Sequence, residues 1–499
     1  MKRIISFVLI LIMSLTLAAC TVSPEAAVDP TAAPATEVPA TEPPATDEPE
    51  VTDEPAATDE PEITPEPTPE PTQTPEWPEN SELPRIVQNG GTAFLIYPDG
   101  TVYGWGNNEY GQLGIGSTED KHAPVLVSNG ITPVIVGETV FAISADNILW
   151  GWGRNDRGQL GMGSTDEATR PVELMHFVKG VYKEYNRVYV LTEAGDLYRL
   201  GAEAEPELLF EDVESFYGGC LIRNGGELWI SSPEWIKKAD GVSRAFDRWG
   251  NFVERSDGSL CCVNYNGDFE PICGDVRQVE IADNMAYILK NDGSLWSYAR
   301  EGDFHEVPDD QLEKLVHIMD GVAEISCGWE MDEDWGYSYN FALKTNGELW
   351  SWGLGFSNAL VGKAQDNESR DPECVAEGVR SFFTNGAHTF VVTYDGRVLA
   401  TGSGIEFDFM HCPLGDGTEE TRFGFVDIGL KGICTVFTHL DVEYIDYDDG
   451  TDGVELYSRT YAVDSDGRIF AWGWNGDGCL GVGSGDENVL SPTEVFLTK

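Results

Sequence analysis

Two stretches of the chain set carboxylates and aromatic rings close together. In "GWEMDEDWGYSYN" they are Trp329, Glu330, Asp332, Glu333, Asp334, Trp335, Tyr337 and Tyr339. In "THLDVEYIDYDDGTDGVELYSRT" they are Asp441, Glu443, Tyr444, Asp446, Tyr447, Asp448, Asp449 and Asp452. Three chemistries use such residues. Rings give contact area at small entropic cost while acids steer a basic partner, which is protein recognition. Clustered carboxylates suit a hard cation. Two facing acids are what glycoside cleavage needs.

The cation reading fails on spacing. Counted from Asp448, the third position of a calcium loop is Gly450, and Arg459 stands where a bidentate glutamate belongs. No two of the seven histidines have metal-ligand spacing, and there is no GxSxG or Cys/His signature. Neither a catalytic residue, a metal nor a cofactor is expected. Nine cysteines follow Cys20, an odd number without a CxxC pair. They read as small buried thiols rather than a zinc site or a disulfide framework.

The remaining chain must present the acid–aromatic stretches. It opens with Lys2 and Arg3, continues through "IISFVLILIMSLTLAA" and reaches Cys20. Charge, a short apolar core and small residues describe a secretion signal, not a membrane-spanning helix. The Leu-Ala-Ala-Cys ending resembles a lipobox, which implies cleavage before Cys20 and lipidation of its sulfur. An ordinary secretory signal ending at a cysteine is the alternative. Residues 21–80 hold 15 prolines and 16 acids with no Lys or Arg, a disordered stalk reaching on the order of 150 Å when extended. The organisation expected is a signal at 1–19, a lipidated cysteine and linker at 20–80, and a folded part at 81–499. That places the protein on the cell surface, outside the cytoplasmic membrane, with the membrane touched through the lipid alone. The folded part carries 70 acidic and 29 basic residues, which argues against nucleic acid and for a basic partner, or else simply solvates the surface.

Self-similarity gives the architecture. "FLIYPDGTVYGWG", "FAISADNILWGWG", "YILKNDGSLWSY" and six further runs each join two strand-forming stretches through a turn that needs φ > 0. Nine hairpins are marked by Gly100, Asn147, Gly195, Gly226, Gly258, Gly293, Gly347, Gly396 and Gly467. Second pairs such as "APVLVSNGITPVIVG", "FEPICGDVRQVEIAD" and "DPECVAEGVRSFFTNG" complete four-stranded meanders, whose two faces are buried when the sheets stack radially.

"VYGWGNNEYGQLGIG", "LWGWGRNDRGQLGMG" and "IFAWGWNGDGCLGVG" are near-copies. Their shared residues are Trp105, Gly106, Gly111, Gln112, Leu113 and Gly114, then Trp152, Gly153, Gly158, Gln159, Leu160 and Gly161, and finally Trp472, Gly473, Gly478, Leu480 and Gly481. Cys479 replaces the last glutamine. This pattern resembles the repeats of the regulator of chromosome condensation family. The resemblance implies an all-β fold, a β-propeller of four-stranded blades, seven by family habit against nine hairpins here. It also implies that the motif is structural, with His388 of "NGAHTFVV" a packing histidine. Nuclear exchange activity is not expected of a secreted acidic protein. In a closed ring the first two copies and the last become neighbours at the seam, where the chain ends must pair.

With strands A to D in each unit and the Asp-Gly turn between A and B, B-to-C and D-to-A connections leave on one face. Four long insertions, 328–340, 354–371, 402–424 and 438–460, therefore share that face. The function expected is protein binding there, inhibitory or adhesive. The alternative is carbohydrate binding or cleavage by paired carboxylates. Solvated loops with no partner account for the same composition.

Overall fold

The computed structural model describes residues 82–497 apart from 185–186, 202–205, 232–233, 248–249, 265–266, 283–284, 300–313, 332–335, 354–359, 364–370, 406–409, 447–451 and 486–487. The expected signal, Cys20 and the stalk lie outside them. Nine antiparallel sheets form a nine-bladed propeller, each blade built from four strands consecutive along the ladder. Blade one is Arg85–Asn89, Thr92–Ile96, Thr101–Gly106 and Lys121–Asn129. The others occupy 131–175, 178–210, 213–239, 242–273, 276–319, 322–376, 379–427 and 433–494. No α-helix occurs among the described residues.

Residue alternation explains the stacking. All five residues of Thr92–Ile96 are buried. Successive side chains point to opposite faces of a strand, so Ala93 and Leu95 pack toward blade nine while Phe94 and Ile96 pack toward blade two. A sheet covered on both faces needs a neighbour on each side. Apolar clusters fill every junction between successive blades, and the circuit closes where Tyr461, Val463 and Ile469 of blade nine meet Ala93, Leu95 and Trp105 of blade one.

All nine marked turns join the second strand of a blade to the third. In the first, the Gly100 N–H donates to the Tyr97 carbonyl at 2.9 Å, with Gly100 at φ 86°. The phase of the unit, however, differs from expectation. "APVLVSNGITPVIVG" is not one hairpin: Lys121–Asn129 closes blade one, and Ile131–Ile135 opens blade two. The other second pairs likewise straddle two blades. The cause is that blade junctions use hairpin-like chemistry. Gly241, Gly321 and Gly378 have φ of 79°, 75° and 70°, yet their backbone groups bond to neighbouring turns instead of closing a hairpin. At the sixth junction the Val322 N–H donates to the Gly293 carbonyl at 2.9 Å, and the Thr345 N–H donates to the Gly321 carbonyl at 2.8 Å. Each such junction is pinned between the turn of the blade it leaves and the turn of the blade it enters. The shift by one strand keeps the four insertions on one face, because the same connections still alternate with the Asp-Gly turns.

The repeated motif builds a seat for the next blade. Buried Asn108 accepts the Leu113 N–H at 2.8 Å and donates to the Ser117 and Glu119 carbonyls, and Asn155 and Asn475 hold Leu160 and Leu480 likewise. The glycine after the leucine then receives the next blade: an indole at Gly114 and Gly481, and the Leu200 side chain at Gly161. A methyl group on Gly114 would lie 2.9 Å from Trp152 and one on Gly481 2.9 Å from Trp105. Trp152 donates its Nε1–H to the Gln112 carbonyl at 2.7 Å, and Trp105 to the Cys479 carbonyl at 2.9 Å. Because the acceptor is backbone, cysteine serves at 479 as well as glutamine. The seam thus closes by packing, by side-chain bonds and by a backbone bond from the Gly483 N–H to the His122 carbonyl at 2.7 Å, and among the described residues no strand ladder crosses it.

Two degenerate copies lie in segments expected to be insertions. Leu360 follows Trp352 by the same eight positions and is buried. In blade eight, Leu414 and Gly415 seat Trp472, whose Nε1 would lie 2.6 Å from a methyl at Gly415. Trp472 Nε1 has no acceptor among the described residues.

Replacing Gly481 by alanine adds a left-handed backbone penalty to a clash with Trp105 and should cost about 2–5 kcal/mol of stability. Gly467→Ala, at a turn with open space around it, should cost only about 1–2 kcal/mol. Denaturant midpoints of the two variants check this ordering.

Candidate binding face at the ring seam

The acid–aromatic stretch of blade nine is a hairpin arm rather than a loop. The first strand, Ile433–Asp446, pairs with the second, Asp452–Asp464, out to Asp446 opposite Asp452. The third strand pairs only with residues 459–463, so the arm continues beyond the blade. "LDVEY" alternates apolar and acidic residues, a strand signal that the density of acids obscures. Blade seven carries a shorter version, with Trp329 opposite Ser338 and Glu330 opposite Tyr337.

A second insertion straps the arm. Met410–His411, from the 402–424 segment of blade eight, pairs in parallel with Leu456 and Tyr457. The His411 ring stacks on Tyr457 at 5.1 Å and 8°, and Tyr457 lies 4.5 Å from the Trp474 ring. Trp474, which the sequence reading did not single out, occupies the position held by Asn107 and Arg154 in the other two strong copies.

The base of the arm is a buried polar network. His388 is fully buried; its Nε2–H faces the Ser403 carbonyl at 2.8 Å and the Cys412 carbonyl at 3.1 Å, so its Nδ1 accepts from the Ser458 hydroxyl at 3.1 Å. Asn385 donates to Thr438 at 2.7 Å and to Ser458 at 3.0 Å. Burial pushes the His388 pKa down to about 4, outweighing the two carbonyls. It is a packing histidine, and together with Asn385 it links blade eight to both strands of the arm.

Arg459 lies buried beneath the arm and pairs with Asp441, which also accepts from His439 Nε2 at 3.0 Å and from the Gly90 N–H at 3.3 Å. Burial, then the Arg459 charge, lowers the His439 pKa to about 3, so the imidazole donates to Asp441 as a neutral ring. The residue that spoils the calcium pattern therefore holds the counter-ion of the arm, Asp441, which ties blade nine to the Asn89–Gly91 turn of blade one.

Above this pair opens a cavity of about 510 Å³, bounded by that turn, Glu138 and Arg154 of blade two, Lys183 of blade three, and Glu443, Tyr457 and Trp474 of blade nine. Arg154 bridges Glu138 at 2.6 Å and Asp156 at 2.8 Å. The cavity opens on the face from which the insertions leave.

Of the expected contact residues, Asp441 lines this cavity, whereas Tyr339 is buried in the core between blades seven and eight. Trp329, Tyr337, Tyr444, Asp446 and Asp452 are strand residues by backbone. Asp332, Glu333, Asp334, Trp335, Tyr447, Asp448 and Asp449 lie outside the described residues. Among the described residues no group of acids, histidines or cysteines has the geometry of a metal site. Of the nine later cysteines, all unbonded, six are buried and Cys374 alone is exposed.

Residues 99–138, 146–183 and 466–499 match the family model described as Regulator of chromosome condensation (RCC1) repeat. Over 191 residues the chain is 28% identical to the RCC1 domain-containing protein RUG3, mitochondrial, of Arabidopsis thaliana, an alignment covering 37% of each protein. The aligned part thus spans little more than a third of that relative's length. Yeast RCC1 (Prp20), in its crystal structure bound to Kap60, is 16% identical, with 84% of this chain and 86% of that chain covered at TM-score 0.41. Human WBSCR16 is 18% identical, with coverages of 80% and 94% at TM-score 0.41. The chain carries RCC1 repeats in a nine-bladed propeller.

Both imidazoles, fully buried His388 and partly buried His439, have pKa values below that of the unfolded chain, about 6.5. The unfolded state therefore binds more protons as pH falls, and the stability that neutral His388 and His439 confer is complete above that value and is lost as pH drops toward 4. Melting temperature should fall across this window, and His388→Gln should flatten the slope in a pH series of thermal melts.

Proposed function

We propose that this chain is a surface-tethered interaction module. Lipidated Cys20 holds it outside the cytoplasmic membrane, residues 21–80 space it from the lipid, and the seam face of the propeller receives a protein partner. What supports this reading is the strapped arm of blade nine standing over a charged cavity on the face shared by the long insertions. A sheet arm held by a buried ion pair and a neighbouring strand presents contact area with its ordering entropy already spent. The acidic excess of residues 81–499 speeds the approach of a basic partner and gives that approach a salt dependence.

A second reading, glycan binding, is favoured by the adjacent rings of Tyr457 and Trp474 beside Glu443 and Asp477. Cleavage is the weaker form of it, since Asp441 is committed to Arg459.

Replacing 330–337 and 443–455 by short glycine turns spares Tyr339, Asp441, Tyr457 and Arg459. That variant should keep the far-ultraviolet spectrum and melting temperature of the parent while losing a protein captured from culture supernatant at moderate salt. Undiminished capture sinks the arm-face reading. Retention on a glycan array with no protein captured moves the assignment to carbohydrate.

A further inference from the structure

The seam cavity is divided by charge. At the end formed by blades two and three, Arg157 and Lys183 line it, and neither side chain has an ion-pair or hydrogen-bond partner among the described residues. At the blade-nine end stand two exposed carboxylates. Glu443 has no partner among the described residues, and Asp477 accepts the Asn107 amide at 3.1 Å. The remaining ionised pairs of the lining are already matched, Arg154 with Glu138 and Asp156, and Arg459 with Asp441.

Two opposite charge pairs held apart across a concave, polar space set up a field along the cavity. Neither end can neutralise the other without collapsing the site, whose walls are fixed by the turn of blade one and by the buried Arg459 pair. Lys183 is exposed at the cavity wall, where an incoming anion can approach it. At the other end the Trp474 and Tyr457 rings line the cavity beside the carboxylates, Tyr457 stacked on His411 and Trp474 5.9 Å from the Arg459 guanidinium, and they give contact area to the stem of a basic side chain. A volume of about 510 Å³ falls in the range of small-ligand pockets, roughly 300–1,000 Å³. It admits a few residues of peptide, not a folded surface.

We propose that the seam cavity reads a short mixed-charge segment of the partner, seating a basic side chain against Glu443, Asp477 and the rings of Trp474 and Tyr457, and a nearby acidic group against Arg157 and Lys183. This rests on the interaction reading above and adds to it a recognition rule: opposite charges in one order and at short separation. A uniformly basic segment satisfies only one end and is repelled at the other.

The full chain is titrated with capped peptides of the form Lys-Gly-Glu, carrying one to three glycines, and with all-lysine and all-glutamate counterparts, read by calorimetry and tryptophan fluorescence. At least one mixed peptide should bind about tenfold tighter than both counterparts, the size of effect expected of charge-assisted bonds at each end. The R157E/K183E double variant, altered at two exposed positions, should keep the parent's melting temperature and invert the preference toward the all-lysine peptide. If no mixed peptide outranks its counterparts, or if the double variant keeps the parent's preference, the cavity proposal is overturned.

The capture experiment separates the two readings. A partner lost with the arm but retained by R157E/K183E overturns the cavity rule and leaves the interaction face standing. A partner lost by both variants supports the two together.

Discussion

Every sheet in this protein has two apolar faces, and only a neighbour on each side covers both. From that constraint the rest follows. The middle strands are buried along their length, as Thr92–Ile96 is. The blades must stack, and the last must find the first. Blade count is then a matter of how many sheets the chain supplies before its ends meet, and here it supplies nine. The conserved geometry of the indole seats matters because it sets the spacing of neighbours: a carbonyl at 112 or 479 and a bare glycine two residues later fix where the next tryptophan can lie.

The same constraint explains which parts of the fold were legible in the sequence. The nine hairpins could be read because Asp-Gly and Asn-Gly between strand formers have one strong meaning. The phase of the blades could not, because Gly241, Gly321 and Gly378 give the same local signal while they and the valine after each bond to turns in two different blades. The copies in blades seven and eight were hidden by Val361, which replaces a glycine, and by the longer spacing from Thr401 to Leu414. In each case local chemistry was read correctly and the partner was not, since partners are a property of the closed ring.

At the seam face the sequence singled out segments by composition, and composition does not show how they are held. Acids and rings drew attention to residues 438–460, but the arm is held by groups not marked as its supports: buried Arg459, neutral His388 and the hydroxyls of Thr438 and Ser458. Asp441 and Tyr339 were marked as contacts, and one is the counter-ion of the arm while the other fills the core. Trp474 went unnoticed because it stands two residues past a tryptophan already assigned to structure. Cross-strand position and burial, which decide whether a side chain is a support or a contact, are set by partners far away in the chain.

The seam has a kinetic side. Each blade is a local meander, closed over short sequence distances, and blade-to-blade junctions are pinned to adjacent turns. The Trp105 to Cys479 bond is different, since it joins residues 374 apart. Closing a loop of that length costs entropy that no earlier contact repays, although the cost grows only as the logarithm of length. Blades can therefore form and stack in succession as an open, curved array, with the faces of blades one and nine bare until the two ends meet. Until that last step the exposed faces are each other's best partner, and also those of a second chain.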